Sequence, residues 1–537
     1  VSAVTAGAQG GPKGQAAPAK STPEAAPKIS SQPVANKGLI TVSIMLATVM
    51  QVLDTTIANV ALPNMQGSLG AAQDQITWVL TSYIVAAAIM TPVTGWLSDK
   101  IGLRQLFIAS AAGFVVASMA CGLSTSLEEM IAFRLFQGLC GAALVPLSQT
   151  VLLNINKPEE HGQAMAIWGA GIMVGPIVGP TLGGWLTETF NWRYVFFVNL
   201  PIGALALAGM IAFLPNTPKR QRGFDFFGFA MLSIFIGALQ LFLDRGEQVD
   251  WFSSPEIWIE LGLAVSAIWV FVIHITGAKA PFIDPKIFRD RNLVMALVMI
   301  FVVGMVLLAG LALLPPMLQN ILGYPVVTTG LVLAPRGVGT MISMIVVGRI
   351  IGKFDTRLLI LTGLLLTALS LYQMSGFSPQ MDQTPIIVSG VVQGLGLGLV
   401  FVPLSTLAFA TLEPRFRADA ASLFSLLRNI GSSVGISIVT VELAHNIVIS
   451  RSELVSGLNP FNPNFTEALA AMGGMGANQT TALAVLNQQV QAQAAMVAYV
   501  DDFKLMMIIT LCAIPLLALM RPKPKGAGPA EPGPAME

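Results

Sequence analysis

The sequence predicts an all-α integral membrane protein that crosses the bilayer fourteen times. Three observations carry this. Of 537 residues, 54% are hydrophobic and 11% charged, with a mean hydropathy of +0.72, whereas a soluble domain carries roughly 25% charged residues. The apolar residues gather in fourteen runs long enough, at about 20 residues, to cross a hydrocarbon core of roughly 30 Å as helices. Lysine and arginine fall in alternate loops. A net charge of +1 gives no basic field for nucleic acid. Cys121, Cys140, Cys512 and His161, His274, His445 are scattered without ligand spacing, so neither a disulfide framework nor a metal centre is expected.

Residues 1–37 carry Lys13, Lys20, Lys28 and Lys37 among Ala, Pro, Gly and Ser, which predicts a disordered basic tail. The spans follow at 38–62, 76–98, 104–124, 129–153, 164–187, 195–215, 224–243, 256–276, 292–314, 328–351, 357–376, 385–410, 419–445 and 503–520, and a second tail covers 521–537. Loops on the side of both tails hold Lys100 and Arg104, Lys157, Lys219, Arg220 and Arg222, Lys279, Lys286, Arg289 and Arg291, Arg349, Lys353 and Arg357, and Arg415 and Arg417. The opposite loops hold only Arg193, Arg245 and Arg451. Basic loops stay in the cytoplasm, so both termini are expected there. A span miscounted early would break this alternation.

A faint repeat relates the loops after spans 2 and 10. Gly95, Lys100 and Arg104 coincide in spacing with Gly348, Lys353 and Arg357. If spans 7 and 8 are an inserted pair, the chain divides as 6 + 2 + 6, the repeated-half plan of many secondary transporters. The expected domains are a six-helix bundle at 38–215, the inserted pair with its linkers at 216–291, and a second bundle at 292–520. That second bundle includes an extracytoplasmic loop at 446–502.

Buried charge is the sharpest signal, because each costs at least about 2.5 kcal/mol at the membrane centre unless paired or solvated. Asp54 lies about 24 Å along span 1 from the cytoplasmic face, and Arg134 about 8 Å from the outer face on span 4, which places both at similar depth. They form either a structural salt bridge or a protonation switch in which Arg134 and Gln137 set the proton affinity of Asp54. Arg336, in the string Pro335-Arg336-Gly337, either meets an anionic group or satisfies carbonyls freed at the Pro-Gly break. Asn59 and Arg336 are the candidates for lining a substrate cavity.

The loop Gly95-Trp-Leu-Ser-Asp99-Lys100-Ile-Gly102-Leu-Arg104 reads as a positive-inside turn with a capping Asp, or as a latch whose charges bond a neighbouring helix end in one conformation only. In span 5, Gly171, Gly175, Pro176, Gly179, Pro180, Gly183 and Gly184 put glycine on one face for close packing, and the prolines make the helix a candidate pivot. Within loop 446–502, residues 480–499 recur at helical spacing. They would extend the last helix out of the membrane as a partner-binding face, or fold as a lid or solvated hairpin.

Several of these strings resemble signatures of the major facilitator superfamily, specifically its fourteen-helix drug:proton antiporters of the EmrB type. Leu53-Asp54-Thr-Thr-Ile-Ala-Asn59-Val-Ala-Leu-Pro63 is similar to that family's first-helix motif. Gly95 to Arg104 resembles motif A, and Arg134-Leu-Phe-Gln137-Gly138 motif B. The span 5 run and the box Phe196-Phe-Val-Asn199-Leu-Pro201-Ile-Gly203 resemble motif C and its downstream segment. Leu333-Ala-Pro-Arg336-Gly337 and Leu427-Arg428-Asn-Ile-Gly431-Ser-Ser433 fit the second half. The match covers nearly all of residues 38–520; the second copy of the loop motif has Gly352 where the first has Asp99.

The resemblance implies the major facilitator fold and a proton-driven exporter of hydrophobic or amphipathic toxic compounds in the inner membrane of a bacterium, with Asp54 and Arg134 in the coupling role. It further implies an EmrA-type periplasmic adaptor and an outer-membrane channel as partners. Two other readings stay open: an exporter of one physiological solute such as a fatty acid, siderophore or signal molecule, and a non-transporting receptor or scaffold. No nucleophile, metal or phosphate-cradling constellation appears, so neither enzymatic activity nor a cofactor is expected.

Overall fold

The computed structural model describes residues 36–157, 159–217, 219, 223–246, 248–278, 281–456, 458, 465–467 and 479–520. The expected tails apart from Asn36 and Lys37, together with Arg220, Arg222, Lys279 and residues 459–464 of the extracytoplasmic loop, lie outside the described residues. Within them every regular element is a helix.

Thirteen helices are long and apolar enough to span a membrane, and one bent pair makes fourteen. In chain order they are α1 (Lys37–Leu69), α2 (Trp78–Met90 and Val93–Ile101), α3 (Leu103–Leu123), α4 (Leu127–Ile155), α5 (His161–Thr189), α6 (Tyr194–Phe213) and α7 (Phe226–Arg245). There follow α8 (Pro255–Gly277), α9 (Arg291–Asn320), α10 (Val326–Ile350), α11 (Thr356–Met374), α12 (Thr384–Ala410), α13 (Arg417–Ser456) and α14 (Gln479–Cys512). Each overlaps one predicted span.

Three early helices are interrupted where proline dictates it. Proline lacks an N–H and its ring crowds the carbonyl four residues back. The halves of α2 meet at 59° across Thr91 and Pro92. A break at Ala142–Ala143 in α4 precedes Pro146, and one at Met173 in α5 precedes Pro176. The largest departure from expectation is at the far end of the chain. Span 13 is expected to stop at 445, yet α13 runs 40 residues; α14 begins at Gln479, which is the helical extension that residues 480–499 offered as one of two readings. Hydropathy reports only the lipid-facing length, and the Ala/Gln-rich stretch before Tyr499 continues as helix without that signal. Arg451 on α13 donates to Asn487 of α14 (3.3 Å), tying the two extensions together.

Glycine sets the closest helix contacts. On α5, a Cβ at Gly175 would meet Val52 at 2.8 Å, at Gly179 the Thr56 hydroxyl, and at Gly183 Ile57 at 3.1 Å, so α5 lies directly on α1. Between α9 and α13 the same device recurs, with Gly304 against the Arg428 carbonyl, Gly431 against that of Phe301 and Gly435 against that of Met305. The other face of α5 meets α10, where Gly337 packs on Ile177 and Gly348 on Ala166.

The pair α7–α8 packs beside this bundle and is fastened at both ends. Asp225 caps α7 through the Gly228 amide (2.9 Å), bonds His274 near the end of α8 (2.9 Å) and accepts from the Phe282 amide (3.0 Å). At the other end Arg245 pairs with Glu256 (2.6 Å). Burial pushes the Asp225 carboxyl up, but the Gly228 amide, the His274 ring and the Phe282 amide together hold it below the usual carboxylate range. On α7, Gln240 exchanges hydrogen bonds with Ser433 of α13 (2.8 and 3.1 Å). Trp258, Ile259, Val265 and Trp269 leave α8 with an exposed apolar face suited to lipid.

Candidate functional site

Four helices converge on one buried ion pair. Asp54 on α1 and Arg134 on α4 lie 2.7 Å apart (Nη1 to Oδ2), both side chains fully inaccessible. Gln137, one turn beyond Arg134 on the same face of α4, donates to Asp54 Oδ1 (2.9 Å) and accepts from Arg134 Nη1 (2.8 Å). From α6, Asn199 also donates to Asp54 Oδ1 (2.7 Å) and to the Ser118 hydroxyl of α3 (2.9 Å). Arg134 Nε donates to the Val79 carbonyl of α2 (3.0 Å). The guanidinium sits 4.4 Å from the Tyr83 ring centre and 5.7 Å from that of Phe196.

Local sequence explains the convergence. Ser126 accepts from the Glu129 amide and Glu129 reaches back to the Thr125 amide, fixing where α4 begins and so the depth of Arg134. Gly138 and Gly141 let α4 approach α2 closely enough for Arg134 to reach Val79 and Tyr83; a Cβ at Gly138 would meet the Tyr83 carbonyl. The α5 glycines press on Leu53 and Thr56, on either side of Asp54, and Thr56 Oγ1 donates to the Gly175 carbonyl (3.3 Å). Among the described residues three polar atoms here have no hydrogen-bond partner: Arg134 Nη2, Asn199 Oδ1 and the Tyr83 hydroxyl. Arg134 and Asn199 thus leave the cluster one spare donor and one spare acceptor, beside a hydroxyl that can be either.

The profile of the Major Facilitator Superfamily matches residues 44–436. The chain belongs to this superfamily. It is 36% identical to the multidrug export protein EmrB of Escherichia coli (strain K12), over 91% of this chain and 96% of that one. It is 35% identical to the fatty acid resistance protein FarB of Neisseria gonorrhoeae, over 90% and 96%. Among solved structures, the human organic anion transporter MFSD10 aligns with a TM-score of 0.58 at 15% identity, over 89% of this chain and all of that one. The proton:xylose symporter XylE aligns at 0.55 and 12%, over 90% and 99%. These superfamily neighbours share its fold.

The remaining residues singled out by their superfamily motifs are placed as follows. Gly95 lies against Asp419 at the start of α13, with no room for a side chain. Lys100 sits 4.5 Å from the Trp96 ring, and Asp99 is half-buried. Gly102 adopts φ +95°, a conformation that suits glycine, and the following Leu103 amide donates to Thr217 (2.9 Å). Arg104 donates to the Ile211 carbonyl at the end of α6 and to Asn216, both at 2.7 Å. Gly171 packs on Met45, Pro176 and Pro180 are half-buried, and Gly184 faces open space. Gly184 lies outside the steps of four that Gly171, Gly175, Gly179 and Gly183 make on one face.

Of the two cavity candidates, Asn59 is exposed on α1. Arg336 is buried, at 6% exposure. Its Nη2 donates to the Leu307 carbonyl of α9 (3.2 Å), a neighbouring helix and not its own Pro-Gly break, between Gly310 and Gly390.

Sequence reading gave no role to Asn199 or to a plug of aromatic rings. Trp168 stacks on Phe401 (6.0 Å), which meets Phe424 (6.4 Å), which meets Phe409 (5.9 Å). Nearby, Arg417 donates to the Leu153 carbonyl and to Asn154, both at 3.2 Å. The plug, these bonds and the Gly95–Asp419 contact join α2, α4 and α5 to α12 and α13 at the end of the bundle that carries Lys100, Lys157 and Arg417. Asn199 had one signal, a polar residue within an apolar run at a depth comparable to Asp54; the plug had none, because single aromatics in spans are commonplace.

Proposed function

We propose that this protein is a proton-coupled antiporter that exports hydrophobic or amphipathic toxic compounds across a bacterial inner membrane. The observation that carries the reading is the Asp54 carboxylate, buried at membrane depth and held by Arg134, Gln137 and Asn199. A charge placed so deep is a functional site by default. Adding a proton to Asp54 removes the charge that Arg134 neutralises and turns an acceptor oxygen toward donors. The cluster then loosens, and the spare atoms on Arg134 and Asn199 are positioned to take new partners. Because α5 is pressed on α1 beside Asp54 and on α10 along its other face, a shift of α1 is passed to α10 through packed glycines.

In this reading the basic end faces the cytoplasm. The helices before residue 215 and after residue 291 are two halves that rock about the α5–α10 seam, and the aromatic plug closes the cytoplasmic end in the conformation described. Within Gly95 to Arg104, Gly95 holds α2 to α13 and Arg104 holds the start of α3 to the end of α6 in that state. The 36% identity to EmrB over nearly its whole length supports export of drug-like compounds, and an EmrA-type adaptor with an outer-membrane channel is the expected company. A second reading, export of fatty acids, is favoured by the equally long match to FarB.

Purified protein in proteoliposomes tests this. Under an imposed pH gradient the wild type moves a fluorescent cationic drug and releases protons, while Asp54→Asn, still inserted and monodisperse, does neither. Drug movement by Asp54→Asn at the wild-type rate refutes the coupling role. Competition by long-chain fatty acids, with none by cationic drugs, selects the second reading.

A further inference from the structure

A second carboxyl is buried in the bundle far along the chain from Asp54. Asp502 on α14 has no accessible surface, and among the described residues neither of its oxygens meets a hydrogen-bond donor. The nearby Lys504 pairs with Asp501 (2.9 Å) instead. Its neighbours along α14, Tyr499, Phe503 and Met506, belong to an apolar core shared with α9 and α11, which contribute side chains such as Leu313 and Met374. The charges acting on it are both negative, Glu442 from α13 and Asp501 from its own helix, and Tyr499 is the other titratable group beside it.

An ionised carboxylate without a donor in apolar surroundings is far more costly than the neutral acid, and negative neighbours add to the cost. One buried carboxyl with one facing acid offers too few ligands for a metal ion. That leaves the proton. Asp502 lies about 15 Å along α14 from its end at Cys512, and the 3-10 segment Ile514–Leu519 adds about 12 Å, which puts Asp502 near the boundary where α13 and α14 continue beyond the hydrocarbon.

We infer that Asp502 is a second proton-binding site, which carries its proton in this conformation and exchanges it when α14 parts from Glu442 on α13. The site stands independently of Asp54, and neither assignment requires the other. Its consequence is a carboxyl that reports the spacing of α13 and α14 at the outer boundary.

Dicyclohexylcarbodiimide, an apolar reagent that adds to protonated carboxyls, tests this on the purified full chain, with adducts located by peptide mass spectrometry over a pH series. The expected result is an adduct on Asp502 at acid pH that falls at least tenfold as pH rises, undiminished in Asp54→Asn. No adduct at 502 at any pH, or one indifferent to pH, overturns the proposal. Loss of the adduct in Asp54→Asn overturns the independence of the two sites. Infrared difference spectra between acid and alkaline buffer give a second readout, in which Asp502→Asn removes a carboxylic-acid C=O band that Asp502→Glu and Asp54→Asn retain; a band unchanged in Asp502→Asn refutes the assignment.

Discussion

Asn199 reaches Asp54 at 2.7 Å, as closely as Arg134 does, but on the other carboxylate oxygen. The amide brings α6 into a cluster otherwise built from α1, α2 and α4, and its second contact, to Ser118, brings in α3. A hydrogen bond to a charged group contributes about 1.5–3 kcal/mol. Asn199→Ala is therefore expected to lower proton-driven efflux by about tenfold or more and to displace its pH profile, with membrane insertion unchanged. Efflux measured across a pH series in everted vesicles checks this.

Arg134→Lys keeps the charge and loses the fork. An ammonium cannot donate to Asp54, Gln137 and the Val79 carbonyl in the guanidinium geometry, nor stack on Tyr83 in the same way. Efflux is expected to fall to background in this variant. Arg134→Ala, which leaves a buried carboxylate unpaired at a cost of about 3–5 kcal/mol, should also lower the unfolding temperature in a thermal-shift assay.

The glycine stripe predicts a contrast between neighbours. Gly179→Ala places a methyl against the Thr56 hydroxyl and Cβ, whereas nothing lies within 4 Å of a Cβ at Gly184. The first substitution should abolish drug resistance and the second leave it intact. Gly95→Ala, facing Asp419, and Gly352→Ala, facing open space, should divide in the same way. Growth in a graded series of toxic compounds reads all four.

Acid should undo the fastening of α7 to α8. With its folded-state affinity for protons depressed, Asp225 contributes to stability while ionised. That contribution is present above the unfolded-state carboxylate range and is lost as pH falls through the lower folded-state value. Hydrogen exchange at the Phe282 amide, which donates to Asp225, should accelerate at acid pH. In Asp225→Asn it should be fast at every pH.

Composition and charge alternation made the fourteen helices legible, because lipid leaves a strong hydropathy signal and loop lysines mark its edges. Asp54, Arg134 and Gln137 were legible for a related reason: polar groups at that depth are few. Depth along a helix says nothing of azimuth, however. Hence Arg336, which sequence alone put beside a cavity, turns out to face the Leu307 carbonyl between two glycines. Asn199 went unassigned because an amide carries no formal charge, and its partner lies 145 residues away. The length of α13 was hidden because helix outside the membrane needs no apolar run, whereas the extension of α14 showed in the helical spacing of residues 480–499.

At 40 residues, α13 is a rod about 60 Å long, twice the thickness of the hydrocarbon it crosses. Its first turn is wedged against Gly95 and its last lies well beyond the opposite boundary. Pivoted near its middle, such a rod moves each tip by about 0.5 Å per degree of tilt. If the two halves rock as proposed, a tilt at the basic end is transmitted, as a lever arm transmits it, to a surface outside the membrane.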